Sequence, residues 1–169
     1  MIILGIDPGT SRTGYGLIKQ RGEKLQLIKS GLLKISEATD KNQRLVDIEK
    51  SFSALLKKER PNLAAIEKIY FAKNRKTAID VAQCRGVLTF LILKHKIPLL
   101  EYNPSQIKAC LTGYGLADKK SVAKMVSKIL KTEKIEKIDD ASDALAIAIT
   151  AAYTYPLYNK ISEKLKVAN

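Results

Sequence analysis

Residues 1–10 read MIILGIDPGT. Ile2, Ile3, Leu4 and Ile6 form a short apolar run rich in β-branched residues, which predicts a strand buried on both faces. Asp7 follows the last apolar residue directly. Pro8-Gly9 then turns the chain, Pro presetting φ and Gly admitting φ > 0. Asp7 is thereby expected at the carboxyl end of a central strand, the edge of an open α/β sheet where ligands and chemistry gather. The plainer alternative is an aspartate that only caps the turn.

Working outward, Thr13, Tyr15 and Leu17 alternate with Gly14 and Gly16. This is strand spacing, and glycines along one face invite another backbone to come close. Gln20 to Glu23 reads as a hairpin turn, and Leu25 to Ile35 as a third strand that ends a meander. Asp40 to Glu59 carries Leu45, Ile48, Phe52, Leu55 and Leu56 at helical spacing. Leu63 to Ile66 is a second buried strand, and it ends in Glu67, repeating the pattern at Asp7. Ala72 to Lys96 reads as a long helix whose apolar content exceeds what one sheet face needs, leaving surface for a dimer interface. Pro98 to Leu100 is a short strand and Pro104 to Leu111 a helix. Lys119 to Lys131 is amphipathic, with Val122, Met125, Val126 and Ile129 on one stripe and Lys120, Lys124, Lys128 and Lys131 on another. Thr132 to Ile138 is a charged connector. Asp140 to Tyr155 is the last helix, apolar nearly all round from Ala144 to Ala152 and therefore expected to be buried. One domain over residues 1–158 is expected, followed by a polar tail at 159–169 that frays.

The 169 residues suit one domain with a real core. Lys+Arg is 30 against Asp+Glu 17, a net charge of +13, and this excess points to a polyanionic partner, nucleic acid before an anionic membrane surface. Lysine supplies most of it, so proteome composition is the competing explanation. Cys84 and Cys110 belong to no CxxC or Cys/His cluster, which fits reduced thiols in the cytoplasm. A single histidine, His95, excludes a multi-histidine zinc site and disfavours His-based nucleophilic catalysis. No apolar segment reaches about 18 residues, so no membrane span is expected, and no basic leader precedes the first strand.

A strand–helix–strand unit with short connections makes parallel neighbours. Such pairing sets Asp7 and Glu67 side by side. Asp140 and Asp143, three apart in the first turn of the last helix, share one face. Four carboxylates in one place repel and resist desolvation. Divalent cations offset both, and all-oxygen ligands favour Mg²⁺ or Mn²⁺. Two such ions about 3.5–4 Å apart can activate a water and stabilise a leaving oxygen. The competing reading of Asp140 and Asp143 is an ordinary capping box, and that of Glu67 is a pair with Lys68.

GIDPGT with TGYG, then AIEKIYFAKN, AQCRG and DDASDALAIAIT resemble the RuvC-type Holliday junction resolvases, in order from Ile3 to about Ala152. The resemblance implies an RNase H-like α/β fold, a mixed five-stranded sheet flanked by helices. It implies a homodimeric Mg²⁺-dependent endonuclease, with Mn²⁺ able to substitute and two ions per site. Such enzymes cut opposed strands of a four-way DNA junction symmetrically in recombination and repair, alongside the RuvA–RuvB branch-migration complex. Carried over, the catalytic and metal-binding acids are Asp7, Glu67, Asp140 and Asp143, with Asp139 an extra acid beside the match. The DNA-binding positions are Tyr70, Lys108 and Lys119. Tyr70 departs from the family's phenylalanine and Phe71 follows it, so either ring could stack on DNA. The lysines match residues near the scissile phosphate, where they would neutralise charge.

Three rivals remain at this stage. A sugar-kinase or actin-like ATPase shares the Asp-x-Gly-Thr turn but needs a second domain. A silent DNA-binding module would not need all four acids. In RNase H proper the second acid is usually helix-borne, whereas Glu67 ends a strand.

Overall fold

The computed structural model describes residues 1–10, 12–35, 40–69, 75–132 and 139–167; the side chains of 41, 75–77, 139 and 157–167 fall outside that description. The order of elements is β1 (Ile2–Asp7), β2 (Gly14–Arg21), β3 (Lys24–Leu32), α1 (Lys41–Glu59), β4 (Leu63–Glu67), α2 (Arg75–Lys94), β5 (Leu99–Tyr102), α3 (Pro104–Thr112), α4 (Lys119–Leu130) and α5 (Asp139–Val167). The sheet runs β3-β2-β1-β4-β5. β1, β2 and β3 are an antiparallel meander, while β4 and β5 add parallel to β1 through helical crossovers.

β1 is central, and its sequence explains why. Successive side chains alternate between faces. Leu4 and Ile6 enter one core with Tyr15, Leu17, Ala64 and Ile66, covered by α1 and α2. Ile3 enters the other with Ile18, Leu63 and Ala65, covered by α3, α4 and α5. Both faces are thus apolar, as the unbroken run at 2–6 requires. By the same alternation Asp7 and Glu67 belong to the α5 face, at the carboxyl ends of adjacent strands whose last paired residues are Ile6 and Ile66.

Glycine decides how close α5 comes. A Cβ on Gly5 would lie 2.0 Å from the carbonyl oxygen of Ala144 and 2.6 Å from the nitrogen of Ala148. One on Gly14 would lie 2.1 Å from the Asp140 carbonyl oxygen. The α5 backbone is therefore seated on the sheet itself, with Ala141, Ala144, Ala148, Ala151 and Ala152 buried in the contact. This is the approach that the Gly14/Gly16 alternation predicts, with Gly5 as an added member.

The structure departs from the sequence reading at several points. β3 stops at Leu32 rather than Ile35. α5 continues through Pro156 to Val167 rather than ending at Tyr155; the proline removes one N–H rung and crowds the carbonyl four residues back, and the helix formers beyond it carry the helix on. The Pro8-Gly9 turn uses no positive φ at Gly9, since Gly22 and Gly113 are the described glycines that do. Gly9 is needed for space instead: a Cβ there would lie 2.1 Å from the Arg12 carbonyl oxygen. The buried Thr13 hydroxyl donates to the Gly9 carbonyl at 3.1 Å and closes this loop. The expected connector at 133–138 and helix start at 72–74 lie outside the described residues.

Gly5→Ala should lower the unfolding free energy by about 2–3 kcal/mol, the cost of overpacking a rigid contact. Urea denaturation followed by far-UV circular dichroism checks this, and an unchanged midpoint would contradict the backbone-on-sheet contact.

Candidate active site

The seating of α5 on β1 and β2 carries its first turn over the strand ends. Asp140 lies directly above Gly14, with its Cβ 3.2 Å from where a Gly14 Cβ would stand, and Gly14 pairs with Asp7 in the sheet. Asp143 follows one turn on. α5 begins at Asp139, so Asp140 lies inside the helix rather than capping it. Both acids sit at the amino-terminal end, where the helix dipole favours negative charge.

The electrostatics register this convergence. Burial, then the charges of Glu67, Asp143 and Asp140, push the Asp7 carboxyl up from 3.8 to about 7, against the opposing pull of Lys119. Burial and then Asp143 push Glu67 up as well, opposed by Lys108 and Lys119. The acids thus act on one another from β1, β4 and α5. Lys68, considered above as a partner of Glu67, is exposed, and the cations that act on Glu67 are those of α3 and α4.

Lys119, the first residue of α4, places its Nζ 2.8 Å from Asp143 Oδ2. Lys108 on α3 lines the same cavity of about 190 Å³ with Lys119, Glu67 and Asp143, over a floor that includes Ile107 and Val122. Both lysines singled out from the sequence therefore stand at the acidic edge. Lys120, Lys124, Lys128 and Lys131 are exposed. Tyr70 and Phe71 lie outside the described residues.

Arg85 is a member of this site that the sequence reading missed. Its Nε–H donates to the Glu67 backbone carbonyl at 3.1 Å, and its guanidinium pairs with Glu101. It pins the end of β4 to α2 and β5. The AQCRG motif contains it, but nothing in the local pattern announces a backbone contact across α2.

The donor set is carboxylate oxygen throughout, which suits a hard divalent cation. Asp7 and Glu67 are buried beside other acids, and the pull of the two lysines opposes the resulting upward shift without cancelling it. On both counts the residues fit such an ion. As they stand, no three His, Cys, Asp or Glu side chains among the described residues are gathered closely enough to enclose one. Lys119 engages Asp143, so enclosing an ion requires side-chain movement.

A mixed five-stranded sheet, with acids on two neighbouring strand ends and on the first turn of the helix across them, defines an RNase H-like nuclease. The family model for crossover junction endodeoxyribonuclease RuvC matches residues 3–151, and the chain belongs to that family. The RuvC of Natranaerobius thermophilus is 40% identical over 161 residues, 95% of this chain and 100% of that relative. The RuvC of Petrotoga mobilis is 43% identical over 148 residues, 88% of this chain and 91% of that relative. Thermus thermophilus RuvC superimposes with a TM-score of 0.84 at 30% identity, covering 93% of this chain and 96% of that one. The same enzyme solved in complex with a Holliday junction substrate gives 0.85. The chain is thus a Holliday junction resolvase, an endonuclease of crossover junctions acting in recombination and repair. Nucleases of this family are metal-dependent.

The raised Asp7 has a consequence for the metal-free protein. Its folded pKa of about 7 lies above the ordinary 3.8, so between those values the folded chain holds a proton that the unfolded chain releases. Stability from this group is full below about pH 4 and is lost as pH rises through about 7. Glu67 acts in the same direction. Metal-free Asp7→Asn should therefore melt above wild type at pH 8, by several degrees, with the two converging near pH 4. Calorimetry at both pH values checks it, and a lower-melting variant at pH 8 would reverse the sign.

Proposed function

We propose that Asp7, Glu67, Asp140 and Asp143 hold Mg²⁺, two ions per site with Mn²⁺ able to substitute, and that the cut is a paired, symmetric hydrolysis of opposed strands. The observation that carries this reading is geometric: Asp140 stands over Gly14, the strand partner of Asp7, and Glu67 and Asp143 line one cavity with Lys108 and Lys119. A basic protein that gathers half-buried acids needs a cation there. Bound among them, a divalent ion supplies charge neutralisation at the phosphodiester and a water of lowered pKa.

The chain's own residues do the rest. Asp7 and Glu67, fixed on adjacent strand ends, give a rigid base. Asp140 and Asp143 come in from above on a buried helix, so the donor set is held from two directions. Arg85 keeps the Glu67 strand end in place through its backbone carbonyl. Lys108 and Lys119 face the cavity beside the acids and supply positive charge to the phosphate in its crowded, more negative transition state. Tyr70 or Phe71 stacks on junction bases, as the resemblance implies.

The enzyme acts as a homodimer, which brings two such sites to one junction. α2 supports this reading: Ile79, Phe90 and Leu93 are 67%, 60% and 58% exposed, and their spacing puts them on one helix face. A second copy of the chain fits an apolar row of this kind. The resemblance further implies work beside the RuvA–RuvB branch-migration complex. Free Cys84 and Cys110 suit the reducing cytoplasm, and none of the described helices is long and apolar enough to cross a membrane.

On a synthetic four-way junction with Mg²⁺, wild type should leave paired symmetric nicks. Asp7→Asn should cut about 10³-fold more slowly or worse while its junction affinity stays within a few fold. Cutting at the wild-type rate by the variant would remove Asp7 from the chemistry. For the dimer, Leu93→Glu should shift the sedimenting species from a dimer to the single 18.7 kDa chain; a variant that still sediments as a dimer would exclude this face of α2.

A further inference from the structure

The ion pair between Lys119 and Asp143 connects α4 to a proposed metal ligand. Lys119 Nζ is 2.8 Å from Asp143 Oδ2, and the two side chains are 51% and 31% exposed. The same ammonium acts on Asp7 and on Glu67, pulling both carboxyls back toward their ordinary range. One positive charge thus serves acids from β1, β4 and α5. A group in that position does electrostatically what a bound cation would do.

We propose that Lys119 is the resident counter-cation of the carboxylate cluster, and that a divalent ion entering the cluster displaces it from Asp143 toward the arriving DNA phosphate. The inference rests on the metal reading given above.

Three features favour displacement over a fixed structural bridge. The pair is half exposed, and such pairs are weak because water screens them and long side chains lose entropy in forming them. The cation is a lysine, a compact charge on a flexible stem; Arg85, by contrast, holds Glu67 through a backbone carbonyl and Glu101 through a planar fork. The cavity beside the pair is open, lined by Lys108 and Glu67 as well as by Lys119 and Asp143, so the ammonium has somewhere to go. Ion and ammonium then compete for one carboxylate, and each weakens the other by mass action. The metal-free cluster is kept from flying apart, and the lysine becomes available when metal and substrate are both present.

The test uses the full chain without DNA and Mn²⁺ as the probe, with free Mn²⁺ counted by electron paramagnetic resonance. Removing the competitor in Lys119→Met should tighten Mn²⁺ binding by about two- to five-fold, the range to which the strength of an exposed pair converts. Lys119→Arg keeps a competing charge and should not tighten Mn²⁺ binding. Lys124→Met, which removes a charge from an exposed position on the same helix, should also match wild type. A second measurement needs no variant. On adding Mg²⁺ to wild type, the side-chain Nζ resonance of Lys119 should shift while that of Lys124 stays put. Equal or weaker Mn²⁺ binding by Lys119→Met, or a Lys119 resonance that does not respond to Mg²⁺, overturns the inference and leaves the metal site standing. No Mn²⁺ binding by wild type that Asp7→Asn abolishes overturns both.

Discussion

The contact on which the rest of the molecule depends is the seating of the α5 backbone on glycines of β1 and β2. A side chain at Gly5 or Gly14 would put its Cβ 2.0 or 2.1 Å from a helix carbonyl oxygen, far inside contact distance. Because those positions are empty, α5 lies on the sheet rather than above it. Alanines line its contact face, so helix and sheet meet with little side chain between them. The amino-terminal turn of α5 then has one place to be, over the ends of β1 and β4. Asp140 and Asp143 are catalytic candidates only because Gly5, Gly14 and Gly16 are glycine.

That geometry has an electrostatic cost, and the fold meets it in stages. Asp7 and Glu67 are desolvated and face like charges, and both carboxyls are pushed up in response. The positive end of the α5 dipole points into the group and offsets part of the repulsion. Lys119 and Lys108 offset more. What remains is an unmet demand for positive charge, which a hard divalent cation fits. Lysines on flexible stems oppose the charge of the acids without enclosing it.

How much of this the sequence discloses depends on the kind of signal. Asp7 and Glu67 are legible because each ends an uninterrupted apolar run, and a strand buried on both faces has few ways to be written. The burial of α5 is legible from its all-round apolar stretch, and the close approach from the alternating glycines of β2. The partner in that approach is not, because glycine marks a vacancy without saying what fills it. Gly5 hides inside the run that identifies β1. Arg85 is invisible for a related reason: its main bond is to a backbone carbonyl, and a carbonyl has no sequence signature. Lys108 and Lys119 are indistinguishable from surface lysines in a chain this basic, and only their family resemblance separates them from Lys120 or Lys124. The α5 extension past Pro156 was missed because proline is a breaker by propensity, while propensity is a weak prior inside a long helix.

Arg85 also ties the two sides of the sheet together. It belongs to α2, the helix whose outer face carries Ile79, Phe90 and Leu93 in the open. From there it crosses to hold the backbone at Glu67 and the side chain of Glu101. The end of β4 is therefore fixed from the α2 side, while the Glu67 carboxyl serves the α5 side. The accepting end of that bond is main chain, so it holds the strand itself at Glu67 rather than one rotamer of its carboxylate. The helix that presents the exposed row of Ile79, Phe90 and Leu93 therefore also braces the strand end that carries Glu67.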